Sequence, residues 1–121
     1  MKKNIKIGEK EYLMSASAYT QFKYKDETGN SLVKDLSTLA NKYQEIQLDE
    51  SNVLEHYEEL EDFINMTLKI AYIMALEGKS INGSFEDFLK EQDNYMSDVA
   101  WIGEVMELAI SPLSGTIQKS N

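Results

Sequence analysis

Three short stretches hold the residue types from which binding or catalytic chemistry is ordinarily built. Residues 78–80 read GKS, the close of the phosphate-binding loop G-x-x-x-x-G-K-S. The first glycine of that loop would fall where Ile73 stands, and a helical pattern precedes the motif where the mechanism needs a strand. Residues 55–62, EHYEELED, place the one histidine among carboxylates. His56, Glu58, Glu59, Glu61 and Asp62 spread over the polar side of a helix, and neither H-E-x-x-H nor a calcium-binding loop is present. Residues 24–32, YKDETGNSL, interrupt helix-like sequence with Thr28, Gly29, Asn30 and Ser31. A phosphate nest there would have a single glycine, no preceding strand, and Asp26 and Glu27 repelling the anion. The stretch reads instead as a corner, with Gly29 as a left-handed C-cap and Asn30 or Ser31 capping the next helix. A nucleophilic serine would need a base, and His56 has no serine or acid partner at a recognisable spacing. No catalytic, cofactor-binding or metal-ligating residue is assigned, and a non-enzyme is expected.

The elements around these stretches follow from periodicity. Ile5 and Ile7 alternate with Lys6, Gly8 to Lys10 supply a turn, and Tyr12 and Leu13 resume apolar character, which predicts a hairpin over about 4–14. Two strands are marginal alone, so they must lean on helices. Ser15 is the expected N-cap of a first helix in which Ala18, Tyr19 and Phe22 lie on one face. Leu32, Leu36, Leu39, Ala40 and Tyr43 share a face of a second helix. QLDESN (47–52) suits a loop, and Asn52 with Glu55 has the spacing of a capping box. A long central helix then carries Leu54, Tyr57, Leu60, Phe63 and Ile64, becomes apolar round most of its circumference, and stops at Gly78. Met66 and Met74 fall within it as gap fillers. Ser84 and Asp87 cap a short helix bearing Phe85, Phe88 and Leu89, and a last helix runs from about Asn94 to Ile110, closed by Pro112. The expected fold is mainly α: one compact bundle of about five helices over residues 1–113, a small N-terminal hairpin, and a flexible tail at 114–121.

Composition narrows the class. With 42% hydrophobic and 27% charged residues in 121, the chain has enough apolar material for one core. A net charge of -9 repels phosphate backbones, so nucleic-acid partners are not expected. The absence of cysteine excludes disulfides and thiolate metal sites and is compatible with a reducing cytoplasm. MKKNIKIGEKEYLM lacks the continuous apolar stretch of a secretory signal, and FINMTLKIAYIMAL, residues 63–76, is too short to cross a bilayer. No membrane association is expected.

The last helix carries two stripes. Tyr95, Val99, Ile102, Met106 and Ala109 form one; Trp101, Val105 and Leu108 form a second, centred roughly 110° away. A helix packed between two layers of its own domain would show this pattern, and so would one that keeps a stripe for another protein or another copy of itself. Trp101, Val105 and Leu108 are the partner-binding candidates, because the sole tryptophan lies there.

The order of features, a short hairpin, a helix reaching FKYKDETGNSLVKDL, a long helix ending IAYIMALEG, the helix SFEDFLKEQD and a last helix ending ELAISPL, resembles the tail assembly chaperones of long-tailed phages that infect Gram-positive bacteria. The resemblance covers residues 4 to 113. It implies a non-catalytic protein in the cytoplasm of an infected or lysogenic host, without cofactor, that binds the tape-measure protein and brings tail-tube subunits to it. It also implies a longer form made by ribosomal frameshifting near the end of the short frame. The alternative within phage biology is a head-tail connector or tail component that stays in the virion.

Overall fold

Residues 1–46 and 57–119 are described in the computed structural model. Their elements are β1 (Lys2–Ile7), β2 (Lys10–Ser15), α1 (Ala18–Thr28), α2 (Leu32–Ile46), α3 (Tyr57–Glu77), α4 (Phe85–Lys90) and α5 (Ala100–Lys119). The chain is mainly helical with an antiparallel N-terminal hairpin, as the periodicities predict. The QLDESN loop, the Asn52 and Glu55 capping box, Leu54 and His56 lie outside the described residues.

The hairpin pairs Ile5 with Tyr12 and Ile7 with Lys10 across a two-residue turn. Ile5, Ile7, Tyr12 and Met14 are buried, so one face of the hairpin is apolar. Gly8 has φ 63, and a Cβ at that position would collide with the carbonyl of Asp93. Both the sign of φ and the lack of room demand glycine.

α3 is the central element, with β2, α1, α2, α4 and α5 all packed against it. Leu60, Ile64, Leu68, Ile70, Ala71, Ile73, Met74 and Ala75 are buried, which is why apolar residues spread around its circumference. Leu32, Leu36 and Leu39 of α2 join the same core, as their spacing predicts.

Capping decides several boundaries. Gly29, at φ 77, ends α1 and its N–H donates to Lys25 O, and Ser31 Oγ accepts from Lys34 N, so residues 24–32 form the expected corner. Ser84 and Asp87 form the expected capping box at α4. The cap of α1 is Ser17, with Thr20 completing its box; Ser15 instead ends β2. At the end of α3 the left-handed residue is Lys79 (φ 61), one position beyond Gly78. Gly78 is required for a different reason: a Cβ there would strike the backbone of β2 at Leu13. Ser80 Oγ donates to Leu13 O (2.8 Å), so GKS splices the end of α3 to β2.

α5 departs most from expectation. It begins at Ala100 rather than near Asn94, because Asn94 takes φ 57 and Asp98 Oδ1 accepts from Ala100 N (2.9 Å). It also runs through Pro112 instead of stopping there. Pro112 has no N–H for the carbonyl of Leu108, and Ser111 Oγ donates to that carbonyl instead (2.7 Å). No described helix is long and apolar enough to cross a membrane.

Candidate functional site: an exposed aromatic strip on the first helix

The sequence places the spare apolar surface on α5, and the structure places it on α1. Trp101 is 1% exposed, and Val105 and Leu108 are buried beside it. Val99, Ile102, Met106 and Ala109, the other stripe, are buried too. The cause is position: α5 is flanked by α3, β1 and α2, so both stripes find their partners inside one copy. The indole Nε1 donates to Tyr95 O (2.7 Å), which satisfies its polar atom without solvent. These three residues are core, and the sandwiched-helix account of the double stripe is the one that holds.

On α1, Tyr19 and Phe22 share a face as their spacing predicts, and that face is turned to solvent: they are 52% and 67% exposed. Their ring centroids lie 6.1 Å apart. Ala18, Lys25 and Asp26 are exposed on the same side, at helical spacing, so a short apolar strip ends in a cation and an anion.

The orientation of α1 is fixed by its polar residues. Thr20 Oγ1 donates to Glu77 Oε1 (2.6 Å), Ser17 Oγ to Glu77 Oε2 (2.7 Å) and Ser15 Oγ to the same oxygen (3.2 Å). One turn further on, the buried ring of Tyr24 directs its OH to Asp35 Oδ2 on α2 (2.5 Å). Burial, and then the hydrogen bond and negative charge of Asp35, push the Tyr24 phenol well above its usual value. Hydrogen bonds to charged groups contribute about 1.5–3 kcal/mol each. Burying one phenylalanine contributes about 1.5–3 kcal/mol. The three such bonds made by Ser17, Thr20 and Tyr24, with the Tyr24 ring on the inward side, outweigh the two aromatics left outside.

An open crevice of about 490 Å³ lies among Lys10, Tyr12, Ser80, Asn82, Asp87 and Glu91. Tyr12 OH donates to Glu91 Oε1 (3.2 Å) and accepts from Gln92 Nε2 (2.9 Å), while Lys10 pairs with the same Glu91 oxygen (3.2 Å). Asp87 caps α4 and Ser80 holds Leu13 O. Its polar groups hold the hairpin to α4 and to the loop after α3. Among the described residues no group of three or more histidine, aspartate or glutamate side chains could hold a metal.

The fold and its surface define a small helical domain that presents, among the described residues, a solvent-facing aromatic strip. Comparison of the chain with protein-family models, with curated proteins and with solved structures gives no match.

Proposed function

We propose that the chain is a non-catalytic protein-binding module, acting in the host cytoplasm as a tail assembly chaperone of a long-tailed phage or prophage. It binds the tape-measure protein and helps recruit tail-tube subunits. The observation that carries this reading is the Tyr19–Phe22 pair held outward on a helix capped at both ends. Exposed aromatics on a rigid element are the usual anchors of protein interfaces. An amphipathic segment of the client would lay its apolar face along the strip. The high negative charge keeps such a surface in solution. The order of elements from the hairpin to the last helix supports the phage assignment by resemblance.

The test is co-expression with the tape-measure protein of the same gene cluster, followed by affinity capture. Phe22→Asp is expected to weaken recovery by about 30-fold, the effect of losing one central aromatic anchor. Phe22 is exposed, so circular dichroism of that variant should match the parent. Equal capture of client by Phe22→Asp, or recovery of the protein at fixed ring-like copy number in purified virions, would sink the reading.

A further inference from the structure

We propose that, without a client, two copies of the chain cover their strips with each other, α1 against α1, antiparallel about a two-fold axis at Phe22. This deepens the reading of the strip as a docking face and rests on it. The exposed side of α1 is Ala18, Tyr19, Phe22, Lys25 and Asp26. In an antiparallel pair centred on Phe22, that residue meets its own copy, Tyr19 of one copy falls opposite Lys25 of the other, and Ala18 falls opposite Asp26. The lysine lies over an aromatic face, a favourable cation–π arrangement. The first turn of α1 holds no acidic residue. Glu77 of the same copy already stands at the positive end of the helix, and in the antiparallel pair the two macrodipoles oppose each other.

The strip is therefore complementary to itself in one direction only. A parallel pair would set Lys25 against Lys25 and Asp26 against Asp26. The antiparallel contact is isologous, so it closes at two copies and builds no filament. α1 has 11 residues, a length of roughly 16 Å. Such a contact is smaller than a standard stable interface. The dimer is accordingly weak, and a client that reaches the strip displaces the second copy.

Sedimentation equilibrium over about 10 µM to 1 mM spans the range in which a weak dimer forms. The apparent mass is expected to climb from 13.9 kDa toward twice that value, while Phe22→Asp stays monomeric at every concentration. Two substitutions at one site read the register. Tyr19→Glu sets a carboxylate against Lys25 and should keep the dimer, whereas Tyr19→Lys sets like charges together and should weaken it by about 10-fold or more. Trp101 fluorescence, from a site in the core, reports that each variant is folded. A parent that is monomeric at the highest concentration overturns the proposal, as does dimerisation of Phe22→Asp or equal dimerisation of the two Tyr19 variants. Loss of the dimer with client capture intact removes this inference alone; loss of Phe22-dependent capture with the dimer intact removes the proposed function alone.

Discussion

Tyr24 concentrates three forces on one oxygen: burial of its ring, a 2.5 Å bond to Asp35, and the charge of that carboxylate. All three favour the neutral phenol in the folded state, so its pKa is raised from 10.0. A raised pKa contributes stability that is complete below the unfolded value and is lost as pH climbs through the folded one. Stability should hold to pH 10 and fall above it. Tyr24→Phe is expected to cost about 1–2 kcal/mol at neutral pH and to reduce the alkaline decline, read as urea midpoints across that pH range. The decline should not vanish, because Tyr12 and Tyr72 are raised as well, chiefly by burial. An unchanged slope in the phenylalanine variant would assign the decline to other groups. Residue roles with local causes, such as Gly29 and the Ser84 and Asp87 box, are legible in the sequence. The outward turn of Tyr19 and Phe22 is not. The carboxylate that sets it, Glu77, lies 57 residues beyond Thr20, and α1 carries apolar residues on both faces, so periodicity could not name the buried one. The alternation of hydroxyls at Ser15, Ser17 and Thr20 was the available signal, and its acceptor was not identifiable.

At the scale of elements, the caps at Gly29 and Ser84 were readable, whereas the cap at Ser17 and the reach of α5 were not. A proline inside a helix removes one donor and costs about 3 kcal/mol or more where nothing compensates. Here the residue before it compensates, since Ser111 Oγ holds the carbonyl of Leu108 that Pro112 cannot serve. A double-mutant cycle tests this account. Ser111→Ala alone should cost about 1 kcal/mol by stranding that carbonyl. In a Pro112→Ala background the restored N–H takes over, and the same substitution should cost little, a coupling of about 1 kcal/mol. Equal costs in the two backgrounds would show that the hydroxyl has no such part. The double stripe of α5 carries a related lesson. Its spacing established that both sides are covered, but the number of neighbouring elements, which decides whether one copy suffices, is a property of the whole packing.

For the molecule as a whole, charge is divided unevenly. The first ten residues hold four lysines and one glutamate, and the other 111 hold the remaining eight lysines and twenty carboxylates. The formal charge of -9 disappears near the pI of about 4.5, and with it the repulsion that keeps separate molecules or dimers from clustering. Static light scattering should rise steeply near that pH and return to the monomer or dimer value on neutralisation. Constant scattering through that pH would mean that charge does not limit association. The helical class and the hairpin were evident from composition and periodicity because each element repeats its pattern several times.

The splice at Gly78 and Ser80 bears on how the chain is made. Two strands alone are marginal, and the hairpin is clasped by a serine 67 residues further along, at the end of α3. Synthesis proceeds at roughly 5–20 residues per second. For several seconds after the amino-terminal strands leave the ribosome, their apolar face has no floor to settle on. A nascent chain arrested before α5 has emerged should therefore expose Ile5 and Ile7 to protease, because β1 packs on α5, and the full-length chain should not.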